Sequence, residues 1–322
     1  MNLPGLPRVL ITSNEAPTPG IDLLRTRCDV TIIPTAVSTR EEVLQALPGH
    51  DAVFLANHQN VNSEFLDIAG PSLKVVSTMS AGYDHLDVAE IKRRGIKVGH
   101  TPKVLSAAVA EIAILLMLSA ARRAHEGRVK LEQGQVESRP QWLLGQDLQG
   151  STVGIFGLGN IGQAIVKRLI GFEVGRFIYT GHSRKEAGDK LGAIFVTLDE
   201  LLEQSDFLIV AAPLNNETRG LFNDNAFNKM RDTAVFVNIA RGQIVNTESL
   251  VKALRNKKIF AAGLDVTDPE PLPPDHELLK LPNIEILPHL GSSTLKTRNN
   301  MSIIAAQNIL NGLDGKPLLY PL

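Results

Sequence analysis

From end to end the chain alternates short β-branched apolar runs with segments of helix length, and this alternation constrains its fold more than any other feature. The runs are RVLIT, DVTII, AVFLA, LKVVST and IKVGH, then STVGIFG, RFIYT, DFLIVA, TAVFVNI, FAAGLDV and IEILPH. Continuously apolar runs of this length are strands covered on both faces, and parallel strands need a crossover helix between them. The expectation is therefore an α/β chain with two Rossmann-like, doubly wound parallel-sheet domains. At 322 residues and 43% hydrophobic content, the chain is long enough for two cores.

Pro102 can open a helix, and the apolar stretch AVAEIAILLMLSAA beyond it reads as a buried helix. That stretch carries Glu111 and falls short of the ~20 residues a membrane span needs. A second helical pattern, LKTRNNMSIIAAQNILNGL, follows GSST, and the tail GKPLLYPL after it is too short to be a domain. The C-terminal helix is thus expected to return to the first domain. Residues 1–104 and 292–322 then form one domain, and residues 105–291 a second domain inserted into it.

The 33 Lys and Arg against 34 Asp and Glu leave a formal charge of -1, which argues against nucleic acid or a membrane as a partner. Cys28 is the only cysteine, so no intrachain disulfide is available, and it reads as a small buried hydrophobe. The opening MNLPGLPRVLITSNEAP is not an apolar signal peptide, and the final YPL is not a peroxisomal SKL-type address. A cytoplasmic location is expected, and no metal site.

STVGIFGLGNIGQAIVKRLIGF contains a strand, the spacing G-x-G-x-x-G at Gly157, Gly159 and Gly162, and a helix with Ile165, Leu169 and Ile170 on its apolar side. A tight turn, close approach of backbone to a pyrophosphate, and close packing of helix on strand give the three glycines separate tasks. Some twenty residues on, where an NAD-binding chain places an acid for the ribose hydroxyls, stands TGHSRK. Either the glycine turn binds no nucleotide, or the nucleotide ribose is itself charged. His182, Ser183, Arg184 and Lys185 can donate to a 2′-phosphate that an Asp would repel, so NADP(H) is the expected cofactor.

Three stretches after apolar strands carry further charged or titratable residues: NIARGQIVN with Arg241, GLDVTDPEPLP with Asp265 and Glu270, and LPHLGSST with His289. Ligands of open α/β sheets bind outside the carboxyl ends of the strands. Arg241 offers a planar fork for a carboxylate, His289 can pass a proton near neutrality, and Glu270 can favour its imidazolium. Together they suit reduction of a carbonyl beside a bound anion.

In their order, GLGNIG, PLNNET, NIARG, GLDVTDPEPLP and LPHLGSST resemble the D-isomer-specific 2-hydroxyacid dehydrogenases over nearly the whole chain. STMSAGYDHLDVAEIKRRGIKVGHTP is most similar to their animal glyoxylate- and hydroxypyruvate-reducing branch. The resemblance implies His289 as proton donor, Glu270 as its partner, and Arg241 as substrate anchor. It implies Ala81 and Gly82 as the backbone loop for the substrate carboxylate, with Ser292 also on substrate. Gly159, Asn160 and Ile161 match the pyrophosphate loop; Pro213, Ile239, Asp265 and Gly291 fall at the cofactor. It makes residues 1–104 and 292–322 the flavodoxin-like substrate-binding domain and residues 105–291 the NADP-binding Rossmann domain, and it implies a homodimer through the cofactor domains, in which Trp142 of one subunit reaches the other's active site. Asn215 in PLNNET departs from the Thr of many members. The reaction so implied is NADPH-dependent reduction of glyoxylate and hydroxypyruvate. The alternatives are a reductase of another 2-oxoacid, such as 2-ketogluconate, on the same scaffold, and a nucleotide-binding corepressor-like protein.

Overall fold

In the computed structural model residues 5–322 are described; residues 1–4, which open the MNLPGLP stretch and the first expected domain, lie outside the described residues. The chain divides into two compact units, one formed by residues up to Leu105 together with Ser293–Leu322, the other by Ser106–Ser292.

The first unit holds strands β1 (Arg8–Ile11), β2 (Asp29–Ile32), β3 (Ala52–Leu55), β4 (Val75–Thr78) and β5 (Lys97–Gly99). All pairs are parallel, in the order β2-β1-β3-β4-β5, which is the flavodoxin-like winding. Every residue of β3 and β4 is buried, as the unbroken apolar runs require. The helix Leu295–Leu313 spans the pattern read from the sequence and packs against the helix Thr18–Arg25 and against β3, β4 and β5. The tail after it joins the sheet, with Gly99 bridging Pro321 and the Leu322 amide donating to Val98 O at 3.0 Å.

The second unit holds β6 (Thr152–Phe156), β7 (Arg176–Thr180), β8 (Ala193–Phe195), β9 (Phe207–Val210), β10 (Val235–Asn238), β11 (Ala261–Leu264) and β12 (Ile284–Ile286). Their order, β12-β11-β10-β9-β6-β7-β8, reverses direction between β6 and β9. This is the Rossmann winding with one added strand, and the reversal marks the switch point where such sheets bind ligands.

Four details depart from the sequence reading. β8 was not anticipated: its run Ala193–Val196 is apolar but short, only three of its residues pair, and Ile194 and Phe195 are exposed at the sheet edge. Pro102 lies in a turn and the helix after it opens only at Ser106, because the Thr101 amide is still tied to Ser80 O at 2.8 Å. That helix is not buried all round, since Ala107, Glu111 and Leu115 form an exposed line at four-residue spacing. Ile170 is 58% exposed beyond the end of its helix, and the apolar face is Ile165, Val166 and Leu169. Among the described residues no helix is long and apolar enough to cross a membrane.

Candidate active site

The glycine turn joins β6 to the helix Asn160–Leu169. Gly157 has φ +99°, and a Cβ there would lie 2.7 Å from the backbone of Ala212. At Gly162 a Cβ would lie 2.4 Å from Gly157 O. Both positions exclude side chains, as turn and helix packing demand. A Cβ on Gly159, by contrast, would meet nothing within 4 Å. Gly159 caps the helix with no side-chain hydrogen bond to its first amides. An open approach to unsatisfied N–H groups at a helix N-terminus fits a pyrophosphate.

At the end of β7, His182, Ser183, Arg184 and Lys185 are all exposed. The Lys185 amide donates to the Tyr179 hydroxyl at 2.7 Å, which shapes the loop. Arg184 is engaged with Asp189 at 2.7 Å, a partner that sequence reasoning missed because it lies beyond the usual position of the ribose acid. The Asn215 carboxamide accepts from the amides of Glu217 and Thr218, so this departure scaffolds the PLNNET loop. Pro213 O accepts from Thr218 Oγ1, and Ile239 is buried directly after β10.

The charged groups sit on turns after β10, β11 and β12. Arg241 is carried on a turn clipped by Asn238, which is fully buried, donates to Arg241 O at 2.8 Å and accepts from the Ala240 amide. His289 Nδ1 lies 2.6 Å from Glu270 Oε1. Burial pushes the Glu270 carboxyl up, but the hydrogen bond and charge of His289 outweigh it, with Thr267 and Arg241 adding, and hold it below its ordinary value. The carboxylate acceptor fixes the Nδ1 proton, so Nε2 is the imidazole nitrogen left for a substrate.

His289 adopts φ +55°, a left-handed backbone that costs a non-glycine residue roughly 1–2 kcal/mol. Asp265 holds it there. Its carbonyl accepts from the His289 amide at 2.8 Å, Oδ1 from Leu290 at 2.7 Å and Oδ2 from Gly291 at 2.9 Å. Asp265 is 2% exposed, and burial raises its carboxyl against those two amides. The sequence placed Asp265 at a strand end and the resemblance put it near the cofactor; its grip on the His289 turn needed the register of β11 against β12.

Residues 114–291 match the family described as D-isomer specific 2-hydroxyacid dehydrogenase, NAD binding domain. The chain belongs to the D-isomer-specific 2-hydroxyacid dehydrogenases. It is 50% identical over 280 residues to the glyoxylate reductase/hydroxypyruvate reductase of Homo sapiens, covering 86% of this chain and 85% of that protein. It is 40% identical over 315 residues to the glyoxylate reductase of Thermofilum pendens, covering 96% and 92%. Its fold is similar to that of an NADPH-dependent glyoxylate/hydroxypyruvate reductase from Sinorhizobium meliloti solved with NADP and malonate, with TM-score 0.84, 31% identity and coverage of 99% and 97%. As a D-2-hydroxyacid dehydrogenase this protein reduces 2-oxoacids with a nicotinamide dinucleotide.

In this D-2-hydroxyacid dehydrogenase Ala81 and Gly82 lie on the half-buried loop after β4, in the first unit. Ser292 ends the second unit, and Trp142 is half-buried in a turn of that unit. Among the described residues there is no cluster of three or more His, Cys, Asp or Glu that could hold a metal.

Proposed function

We propose that the protein is an NADPH-dependent reductase of glyoxylate and hydroxypyruvate, yielding glycolate and D-glycerate. The observation that carries this reading is the 2.6 Å His289–Glu270 pair on a turn locked by Asp265, in a chain half identical to a glyoxylate reductase/hydroxypyruvate reductase. When bound, the reduced nicotinamide supplies a hydride to the carbonyl carbon. Arg241 and the amides of Ala81 and Gly82 hold the substrate carboxylate, with Ser292 beside it. Protonated His289 gives its Nε2 proton to the carbonyl oxygen, and Glu270 stabilises the imidazolium. Gly159, Asn160 and Ile161 take the pyrophosphate on the turn that Gly157 and Gly162 permit, while Pro213, Ile239, Asp265 and Gly291 border the nicotinamide end.

The preference for NADPH rests on His182, Ser183, Arg184 and Lys185. The Arg184–Asp189 pair does not oppose it: exposed ion pairs contribute about 0–1 kcal/mol, whereas each hydrogen bond to a charged phosphate contributes about 1.5–3 kcal/mol. A homodimer through the cofactor domains is supported by the helix Ala124–Glu132, which has no buried residue, and by exposed Leu115, Leu131, Val136 and Leu144 around it. Trp142, in the same segment, is assigned to the partner's substrate site. Cys28, buried and unpaired, suits a cytosolic location.

Steady-state reduction of hydroxypyruvate, comparing kcat/KM for NADPH and NADH at one salt concentration, tests the proposal. A preference of about tenfold or more for NADPH, lost in Arg184→Ala, is expected. Equal use of NADH makes TGHSRK ordinary surface, and no turnover with either returns the binding-protein alternative.

A further inference from the structure

The loop after β4 is tied down by hydrogen bonds that each fix one peptide plane. The Thr101 amide donates to Ser80 O at 2.8 Å, His100 Nδ1 lies 2.9 Å from Ala81 O, and Ser80 Oγ donates to Gly82 O at 2.6 Å. A peptide is planar and trans, so its C=O and the following N–H point in opposite directions. Holding Ser80 O therefore aims the Ala81 N–H, and holding Ala81 O aims the Gly82 N–H. Among the described residues neither N–H is found donating to a protein acceptor. The two are left as a donor pair at a half-buried turn, a local arrangement that binds anions.

His100 is itself held firmly. Its amide donates to Tyr320 O at 3.1 Å, and its carbonyl accepts from Asn308 Nδ2 at 3.1 Å. Asn308 is fully buried and also accepts from the amides of Leu319 and Tyr320. The ring stands edge-on to Tyr83, with centroids 5.6 Å apart. Burial holds its pKa below the ordinary value, against the pull of the Ala81 carbonyl. The ring is therefore neutral at physiological pH, and because a carbonyl only accepts, its one proton is on Nδ1.

We infer that His100 is a positioning residue for the substrate carboxylate: its Nδ1–H fixes the Ala81–Gly82 peptide plane and so presents the Gly82 N–H to the anion. This rests on the proposed reading of Ala81 and Gly82 as the carboxylate loop. Asn308 of the helix Leu295–Leu313 and Tyr320 of the tail after it set the position from which His100 reaches that loop.

The test uses oxamate, a carboxylate analogue of glyoxylate that is not reduced, titrated into the NADPH-saturated enzyme and co-crystallised with it. In the wild type a carboxylate oxygen is expected within hydrogen-bond distance of the Ala81 and Gly82 amides. His100→Phe keeps the ring but loses the donor, and should weaken oxamate about tenfold while leaving NADPH affinity unchanged. His100→Asn, whose amide nitrogen can stand in for Nδ1, should restore most of that loss. Ser80→Ala frees the next plane, which carries the Tyr83 amide, and should change oxamate affinity less than about threefold. Should His100→Phe not fold, His100→Leu carries the same comparison. Wild-type oxamate affinity in His100→Phe, with the carboxylate on the loop, overturns the role of His100 and leaves the loop reading standing. Equal losses in His100→Phe, His100→Asn and Ser80→Ala mean general loosening and also overturn it. A carboxylate bound elsewhere removes the loop reading, and the inference with it.

Discussion

Replacing Asp265 with Asn changes almost no volume but exchanges one carboxylate oxygen for an NH₂ group. The wild-type oxygens each accept a backbone N–H, from Leu290 at 2.7 Å and from Gly291 at 2.9 Å. After the substitution one of those amides faces a donor. A hydrogen bond to a charged acceptor contributes about 1.5–3 kcal/mol, comparable to the roughly 1–2 kcal/mol that the left-handed His289 backbone costs. With about 2 kcal/mol removed, the equilibrium constant for holding His289 in its turn falls about thirtyfold. Burial raises the Asp265 pKa, so folding disfavours its charge at neutral pH, and the neutral Asn recovers part of the loss in global stability. The expected signature is thus a kcat for hydroxypyruvate lowered roughly ten- to a hundredfold with a melting temperature within a few degrees of wild type. Steady-state kinetics and calorimetry on the same preparation measure both. A kcat within about twofold of wild type would refute the view that Asp265 holds the proton donor in place.

His289→Ala should lower kcat by ~10² to 10⁴ with nearly unchanged NADPH affinity, and near-full turnover removes His289 as proton donor. Gly162→Ala places a Cβ 2.4 Å from Gly157 O, so the denaturation midpoint should fall by the equivalent of about 1–3 kcal/mol and NADPH affinity with it; unchanged values show that the turn can yield. Asp314 is held at about 2, against an ordinary 3.8, by hydrogen bonds from Arg27 and Lys316. A depressed folded pKa contributes stability above the unfolded value and loses it as pH falls through the folded one. Asp314→Asn should therefore flatten the decline of melting temperature between pH about 4 and about 2, and an unaltered slope shows the pair to be inert in the folded state.

The sequence by itself determined the α/β class, the strands with apolar runs, the terminal helix, and the chemical cast of Arg241, Glu270 and His289. Each of these is written locally: burial on two faces demands an unbroken apolar run, a turn demands glycine, and a proton donor demands a side chain able to titrate. β8 escaped because its apolar run, Ala193–Val196, is short and sits at a sheet edge, and Ile170 was misplaced because helical period does not say where a helix stops.

Only the tertiary structure decided what surrounds those groups. Asp265 reaches the amides of Leu290 and Gly291 because β11 and β12 pair in parallel, and Asn238 clips the Arg241 turn from the end of β10. His100 meets Ala81, 19 residues earlier, because β4 and β5 are neighbours, and Asn308 meets His100 across 208 residues. The physical reason is common to all: a hydrogen bond is set by distance and angle in space, and residues remote in the chain acquire both only when the sheets assemble.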